Sequence, residues 1–181
     1  MTLSPNPDIV ARAQQGEAQA IGALYDQHHE ALFRYVWARV GERQTAEDLT
    51  SDTFLRMLAA LPRYRPAQAP FRAWLYRIAH NVVIDHYRQA AHRKTVPLAD
   101  VEQHAAPHAD PAAHIDETLT LERLHRALPQ LDGAQGEVVA LRFLSGLSLQ
   151  ETAAVLGKTE MAVKALQHRG LLALRQALTE T

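Results

Sequence analysis

The sequence predicts an all-α protein made of two small helical domains joined by a flexible linker. Apolar residues recur at the 3.6-residue period of helices along most of the chain, and the alternation typical of strands is nearly absent. One central stretch shows neither pattern. With 181 residues, 47% of them hydrophobic, the chain is long enough for one or two domains with real cores. We place the domains at residues 8–88 and 118–178, and the linker at 89–117.

The first predicted domain opens with three helices. Asp8 can cap a short helix, which Gly16 can end in a left-handed conformation. A long amphipathic helix follows and breaks at Gly41. Thr45 and Asp48 have the spacing of a capping box, so we expect a third helix to begin there.

A fourth helix is predicted over Phe71–Arg88, after a connection that contains Pro62, Pro66 and Pro70. Two interpretations of this helix stay open. Its aromatic and aliphatic residues have the spacing of a buried face, and we favour a core position for Trp74. Aromatic side chains beside cations can also stack on single-stranded nucleic acid and neutralise its phosphates.

Residues 89–117 have the composition of a linker. They contain three prolines, four histidines and many alanines, but few large apolar side chains. Such a segment cannot bury enough apolar surface to form a packed core, and we expect it to be extended. The acidic balance of the chain is concentrated here, whereas the segment that follows is slightly basic.

The second domain contains a helix-turn-helix pattern at Leu147–Arg175. Ser148 and Glu151 have capping-box spacing for the first helix. Gly157 can end that helix, and Thr159 can cap the second. Small and apolar residues follow the predicted inner face of the second helix: Val163, Leu166, Gly170 and Leu174. Most two-helix turns are only packing units, but a second helix of this kind can enter a DNA major groove, so we predict DNA binding.

Composition excludes several classes of protein. There is no cysteine, which rules out disulfide scaffolds, thiol nucleophiles and cysteine-ligated metal sites. No apolar run approaches the length of a membrane-spanning helix, and no signal peptide is recognised, so we expect a cytoplasmic protein without membrane insertion. The formal net charge of −1 predicts only modest affinity for DNA in the absence of a partner.

Several side chains invite a metal-site or hydrolase interpretation: His28, His29, His80, Asp85 and His86. His80 and His86 are six residues apart and point to different faces of a helix, and there is no HExxH-type pair. A glycine-rich phosphate loop and a nucleophile elbow are also missing from the sequence. We therefore predict no metal, no cofactor and no enzymatic activity.

The third predicted helix begins with a polar cluster formed by Glu47, Asp48, Ser51 and Asp52. Negative charge is favourable near the positive end of a helix, and this explanation suffices for the residues alone. The alternative is an acidic docking face for a basic partner. Composition does not separate the two, and the first is favoured at this point.

Together these segments resemble the bacterial RNA polymerase sigma factors of the extracytoplasmic-function (ECF) type. Family members carry a helix similar to E-D-L-x-x-[DE]-x-F-L, which corresponds here to Glu47–Leu55. A motif resembling F-R-x-W-L-x-x-I-A-x-N-x-x-x-D-x-x-R corresponds to Phe71–Arg88. A region-four pattern, from L-P-x-L to L-G and V-K, runs from Leu128 to Lys164. Three such motifs in this order, covering most of the chain and separated by a linker, are highly specific.

The resemblance implies that the first domain carries two functional surfaces. The acidic helix would dock on the clamp coiled coil of core RNA polymerase, which reverses the preference given above; the implied residues are Glu47, Asp48, Ser51, Asp52 and Leu55. The fourth helix would lie at the minus-ten element of promoter DNA, where a base is flipped out of the duplex and held in a pocket. The implied residues are Arg72, Arg77, His80, Asn81, Asp85 and Arg88.

For the second domain, the resemblance implies contact with the minus-thirty-five element. The outer side of the second helix of the helix-turn-helix would face DNA through Thr159, Glu160, Lys164, Gln167, His168 and Arg169. Many relatives have arginine at the position of Leu166 and leucine at that of Gln167, so which face meets the bases is left open. The resemblance also implies an anti-sigma factor as a partner.

The sequence therefore predicts a sigma factor that binds core RNA polymerase and directs promoter-specific initiation. The main alternative is a stand-alone helix-turn-helix regulator, which would bind a specific DNA sequence tightly without polymerase. The near-neutral charge favours weak binding instead. A helical hydrolase that uses the histidines is a further alternative, and its metal-dependent form predicts stoichiometric bound metal.

Overall fold

The architecture was taken from a computed structural model, which describes residues 6–94, 127–128 and 131–179. Every regular element in these ranges is helical, as the sequence predicts. The N-terminal elements are α1 (Pro7–Gln14), α2 (Ala18–Val40), α3 (Arg43–Ala60), a 3₁₀ turn (Leu61–Arg63) and α4 (Phe71–Lys94). The C-terminal elements are α5 (Gly133–Val139), a π-helical segment (Ala140–Leu144), α6 (Leu149–Leu156) and α7 (Glu160–Thr179).

Two predicted N-terminal caps are wrong. The side chain of Asn6, rather than Asp8, caps α1 by accepting a hydrogen bond from the backbone N–H of Asp8 at 3.1 Å. Glu42, rather than Thr45, caps α3, because its carboxylate accepts from two free N–H groups of the first turn. Gly41 takes a left-handed conformation that ends α2 and leaves Glu42 extended, so α3 begins earlier than expected.

The helix-turn-helix is formed as predicted. Ser148 and Glu151 make a reciprocal capping box, with N···O distances of 2.7 and 3.1 Å. Gly157 ends α6 at φ +61°, a left-handed conformation that favours glycine. The hydroxyl of Thr159 then accepts a hydrogen bond from the backbone N–H of Ala162 at 3.2 Å, which caps α7.

The two halves of the chain pack on one another instead of standing apart. Residues of the π-helical segment, of α6 and of the connection between them share one buried cluster with residues of α2 and α4; the C-terminal members are Ala140, Leu141, Leu147 and Val155. α4 packs against α6, and α2 against the π-helical segment. The predicted linker 89–117 begins later than expected, because α4 continues to Lys94. The rest of that linker lies outside the described residues.

Gly170 marks the closest approach between α7 and α5. A Cβ atom at this position would lie 2.8 Å from Cγ2 of Val139 and 3.2 Å from the carbonyl oxygen of Gln135. Real Cβ atoms do not approach other heavy atoms this closely, so a side chain would push the two helices apart. Gly22, on α2, has open space around its would-be Cβ. Alanine at Gly22 therefore changes only helix propensity, whereas alanine at Gly170 also crowds the neighbouring helix.

We predict opposite effects for the two glycine-to-alanine substitutions. G170A should lower the free energy of unfolding by about 1–3 kcal/mol, because the added methyl group overpacks the interface. G22A should raise it by about 0.5–1 kcal/mol, because alanine is the better helix former. Urea denaturation of both variants measures the difference. Equal effects of one sign would contradict the close packing of α7 on α5.

His28 is a buried histidine of the N-terminal core. Its side chain is 1% exposed and its ring lies 5.6 Å from that of Phe71. Burial, and then the positive charge of Arg72, lower the pKa of His28 to about 4. Between pH 4 and pH 6.5 the imidazole of His28 is therefore mostly neutral in the folded chain. In the unfolded chain, where its pKa is 6.5, it is mostly protonated over the same range.

We predict that this histidine makes the fold sensitive to acid. The unfolded state takes up a proton below pH 6.5 and the folded state only near pH 4. Stability is thus complete above the first value and declines as the pH falls towards the second, by up to about 3 kcal/mol. His28→Leu should flatten the urea-unfolding profile across this window, whereas His168→Leu, an exposed site, should not. An unchanged slope in the first variant would refute the assignment.

Candidate functional site

The exposed side of α3 carries the residues that the sequence predicts for protein docking. Glu47, Asp48, Ser51 and Leu55 are exposed, and Asp52 is half-buried. Leu55 is 65% exposed, so it adds an apolar side chain to this otherwise polar surface. Two of the acidic groups are paired along the helix, Glu47 with Arg43 and Asp52 with Arg56, each at 3.0 Å. We call this set, Glu47, Asp48, Ser51, Asp52 and Leu55, the acidic face.

The acidic face combines one exposed apolar side chain, Leu55, with acidic side chains on the preceding turns of the same helix. Interfaces between proteins commonly bury such an apolar anchor inside a polar border. Exposed helix pairs contribute little to stability, so the acidic side chains can exchange their partners for those of a basic surface at low cost. The chemistry fits a protein ligand better than a nucleic acid, which these carboxylates would repel.

Part of α4 faces the C-terminal half of the chain. Arg72 is buried, and its Nη2 atom donates to the carbonyl oxygen of Ser145 at 2.8 Å. Its Nη1 atom lies 3.9 Å from the carboxylate of Glu151. One turn further along, the guanidinium of Arg77 donates to the carbonyl oxygen of Ala154 on α6. Two of the six residues predicted for minus-ten DNA are therefore bonded to the helix-turn-helix half.

A third member of that set, His80, belongs to a polar cluster around Glu137. The carboxylate of Glu137, on α5, accepts hydrogen bonds of 2.7 Å from the hydroxyl of Tyr35 and from Nδ1 of His80. Its other oxygen lies 3.6 Å from Nη2 of Arg39. The side chain of Glu137 is 8% exposed. We call these four residues the Glu137 cluster; three of them come from α2 and α4, and one from α5.

Electrostatics keep the Glu137 carboxylate ionised despite its burial. Burial by itself would raise the pKa of Glu137, but the hydrogen bond from His80 and the charge of Arg39 outweigh it, and the pKa lies below its usual value. Burial, together with the neighbouring carboxylate, raises the pKa of Tyr35 well above its usual value, so its hydroxyl keeps the proton that it donates. At neutral pH the Glu137 cluster therefore contains an ionised carboxylate, whose charge is compensated by the guanidinium of Arg39.

The remaining predicted minus-ten residues divide into two kinds. Asn81 and Arg88 are exposed on α4. Asp85 is half-buried, and its carboxylate lies 3.1 Å from a guanidinium nitrogen of Arg56 on α3. Because Arg56 also pairs with Asp52, this arrangement joins α3 to α4 and connects the acidic face with the minus-ten set.

A cavity of about 190 Å³ lies beside the start of α4, and the sequence predictions did not include it. Its wall combines aromatic, cationic and amide side chains from the connection between α3 and α4 and from α4 itself: Arg63, Tyr64, Arg65, Gln68, Trp74 and Arg77. Trp74 is half-buried, and its ring lies 4.7 Å from that of Tyr64 at a tilt of 39°, so it both supports the core and lines the cavity. Arg63 and Arg65, in the proline-containing connection, are the sequence feature that could have indicated this cavity.

The outer side of α7 presents most of the residues predicted for minus-thirty-five DNA. Thr159, Glu160, Lys164, His168 and Arg169 are exposed there or in the preceding turn. Their position at the start of the second helix of a helix-turn-helix is the one from which side chains reach base edges.

Two residues of α7 depart from the sequence expectations. Gln167 is half-buried, and its side-chain oxygen accepts a hydrogen bond of 3.0 Å from Nε of Arg142. It therefore faces inward in this arrangement, instead of lying on the outer side of the helix. Met161 was not predicted, although it is 81% exposed among the outer residues. An exposed apolar group there can contact a thymine methyl.

Among the described residues, no group of three or more histidine or acidic side chains is arranged to hold a metal ion. None of the helices in this part of the chain is both long enough and apolar enough to cross a membrane. The surfaces worth considering are thus the acidic face, α4 with its cavity, and the outer side of α7.

Two family models match the chain in order. The model described as Sigma-70 region 2 matches residues 24–93, and the model described as Sigma-70, region 4 matches residues 127–176. The first covers α2, α3 and α4, and the second covers the helix-turn-helix. Below we refer to these two parts as region 2 and region 4.

Curated proteins and solved structures agree with the family models. The ECF RNA polymerase sigma factor BldN of Streptomyces coelicolor is 42% identical over 96% of this chain, which spans 66% of the length of BldN. The ECF RNA polymerase sigma factor SigD of Mycobacterium tuberculosis is 34% identical over 94% of this chain and 82% of its own length. The structure of CnrH in complex with the cytosolic domain of CnrY matches with a TM-score of 0.72 and 29% identity, over 95% of this chain and 96% of that chain.

The family that the sequence motifs predict is therefore confirmed. The matched segments contain the motifs on which that prediction rested, in the same order and with the same separation. The chain belongs to the ECF RNA polymerase sigma factors, a family of transcription initiation factors.

Proposed function

We propose that this chain binds core RNA polymerase in the cytoplasm and directs initiation at a subset of promoters. One observation supports this proposal most strongly. Within the two matched sigma regions, the same chain presents the acidic face, a cation-rich helix with a cavity, and a helix-turn-helix. The chain is not an enzyme in this proposal, since polymerisation belongs to its partner.

The acidic face of α3 is the proposed polymerase-docking surface. Leu55 supplies an exposed apolar anchor, and Glu47, Asp48 and Asp52 add negative charge on the preceding turns of α3. A basic and partly apolar partner surface, such as a clamp coiled coil, would complement both features. Electrostatic steering by the carboxylates would raise the association rate, and burial of Leu55 would slow dissociation.

Region 2 supplies the proposed minus-ten site. Arg72, Arg77, His80, Asn81, Asp85 and Arg88 are the α4 residues proposed for it. A base flipped out of a duplex needs an aromatic or apolar surface for stacking and polar groups for its edge. The 190 Å³ cavity offers Tyr64 and Trp74 for the first purpose and Gln68 for the second. Arg63 and Arg65, both exposed, are placed to neutralise the phosphates of the flanking strand.

Region 4 supplies the proposed minus-thirty-five site. Thr159, Glu160, Lys164, His168 and Arg169 present donors, acceptors and charge on the outer side of α7 or just before it. Gln167 joins them only if its bond to Arg142 is released. We add Met161 as an apolar contact, because its exposure has no use within the fold.

A protein that controls the availability of the chain is the expected further partner. CnrH, which resembles this chain over nearly its whole length, was solved with the cytosolic domain of CnrY. We propose that this chain is likewise bound by an anti-sigma factor.

The experiment that tests the function is reconstituted transcription. The purified chain is mixed with sigma-free core polymerase and fragmented genomic DNA of the organism that encodes it, and the RNA 5′ ends are sequenced. We expect initiation at a small set of fragments that share two sequence elements. Binding to DNA without core should be weak at the same salt concentration. Tight specific binding without core, and no initiation with active core, would favour a stand-alone regulator instead.

We predict that the acidic face controls affinity for core polymerase. Leu55→Asp should weaken binding by at least about tenfold, because an apolar hot spot of an interface is commonly worth about 2 kcal/mol or more. Asp48→Lys should mainly slow association and do so most strongly at low salt. Glu30→Lys is the matched control, since Glu30 is exposed on α2 and lies outside the acidic face. Stopped-flow kinetics of binding to core measure the association and dissociation rate constants. Equal rate constants for all three variants would contradict the assignment.

We predict that the cavity arginines contact DNA phosphates in the open promoter. The double substitution R63A/R65A should reduce the salt dependence of holoenzyme binding to single-stranded minus-ten DNA. If each guanidinium neutralises one phosphate, the slope of log K against log salt falls in magnitude by roughly 1.4. Affinity for core should not change, which serves as the internal control. A slope equal to that of the unmodified chain would remove these arginines from the site.

A further inference from the structure

One side-chain amide of α1 bonds to the connection that carries most of the cavity wall. Gln14 is the last residue of α1, and its Nε2 atom donates to the carbonyl oxygens of Leu61 at 3.0 Å and of Tyr64 at 2.9 Å. We call residues 61–70 the cavity loop. Because a primary amide carries two N–H groups in a fixed geometry, one side chain holds both ends of the turn that begins this loop.

The cavity loop has few hydrogen-bond donors of its own. Three of its residues are prolines, which have no backbone N–H, and residues 64–70 form no regular helix or strand. Its carbonyl groups therefore depend on side-chain donors. The hydroxyl of Tyr64 donates to the carbonyl oxygen of Ala69 at 2.8 Å, which joins the start of the loop to its end. Gln14 then fixes that start to α1.

The shape of the cavity depends on where this loop lies. Residues 63–69 contribute most of the wall, including Arg63, Tyr64, Arg65 and Gln68. Gln14 does not line the cavity, and it lies outside residues 24–93, the part that the region 2 model matches. Its side chain can therefore affect a ligand in the cavity only through the loop that it holds.

The helix that carries Gln14 is itself anchored in the core of region 2. Val10 and Ala13 of α1 are buried in the same apolar cluster as Leu61 and Tyr64. Gln14 is half-buried beside them, which limits competition by water for its two hydrogen bonds. A binding site keeps its geometry when the residues behind it are locked by packing and hydrogen bonds of this kind.

We propose that Gln14 is a positioning residue for capture of the flipped minus-ten base, because it holds the cavity loop where the base is bound. The inference rests on the proposed function and extends the minus-ten machinery to α1. Without the Gln14 bonds the loop would sample other positions, and the free energy needed to order it would lower the affinity for the base. Affinity for core should not change, since the acidic face lies on α3.

Three substitutions separate positioning from general stability. Gln14→Glu keeps the shape of the side chain but directs a carboxylate oxygen at two carbonyl oxygens. Gln14→Met keeps a similar length and removes the donors without adding charge. Gln15→Glu is the matched control, because Gln15 is the neighbouring glutamine and is exposed. Circular dichroism and thermal melting establish that each variant is folded.

Amide hydrogen exchange of the free chain tests whether Gln14 holds the loop. The backbone N–H groups of Tyr64 and Gln68 report on it, since they donate within the loop at 3.1 and 3.0 Å. Gln14→Glu should speed their exchange by roughly tenfold, because two acceptors lose a donor, and Gln14→Met should do so by less. Gln15→Glu should leave it unchanged. Unchanged exchange in Gln14→Glu would overturn the positioning role.

Base capture is tested by binding of the holoenzyme to single-stranded minus-ten DNA in which one base at a time is replaced by an abasic site. The captured base is the one whose removal weakens binding by the unmodified chain most. Gln14→Glu should weaken binding to the complete strand by roughly tenfold. This loss should disappear on the strand that lacks the captured base, because both changes remove the same interaction. An equal loss on every strand would indicate a general structural role and overturn the proposal.

Failure of the proposed function would give a different result. If no single base contributes to binding by the unmodified holoenzyme, the proposed minus-ten site is wrong, and the role of Gln14 in base capture falls with it. Amide exchange needs neither polymerase nor DNA, so it still decides whether Gln14 holds the cavity loop.

Discussion

The burial of one carboxylate constrains how the two described halves of the chain pack on one another. An ionised glutamate is removed from water only where donors surround it, and for Glu137 those donors come from two helices of the other region. Because the Glu137 carboxylate bonds to both Tyr35 and His80, the position of α5 against α2 and α4 is fixed. Leu141 and Leu147 then fall into the apolar cluster of region 2, and the contact of Arg72 with Ser145 follows from the same docking.

The junction between the regions combines apolar and polar contacts. A purely apolar junction would expose a large apolar surface if the two regions separated. Here each region keeps its own polar groups at the junction, and these groups return to water on separation. Buried ion pairs add little net stability compared with apolar substitutes, but they specify one geometry, because a displaced partner leaves a charge unmatched. The junction is therefore well defined in its geometry.

Local features of this fold were predictable from the sequence, whereas long-range pairings were not. The capping box of Ser148 and Glu151 and the left-handed Gly157 depend on neighbours within a few residues, and both were predicted. The caps at Asn6 and Glu42 were missed because several nearby polar residues could serve equally well. Tyr35 and Glu137 are 102 residues apart, and no periodicity reports such a contact. The inward turn of Gln167 likewise depends on Arg142, from another element.

The π-helical segment connects the recognition helix to the junction between the regions. Arg142 in this segment bonds to Gln167 of α7, while its neighbours Ala140 and Leu141 lie in the apolar cluster shared with region 2. A change at either end thus acts on one short element whose backbone departs from the ordinary helical pattern. Thermodynamic linkage makes such a connection reciprocal: whatever factor separation of the regions adds to the affinity of α7 for DNA, DNA bound to α7 adds to the equilibrium for separation. Any ligand that binds α7 differently in the two arrangements would therefore act on the junction as well.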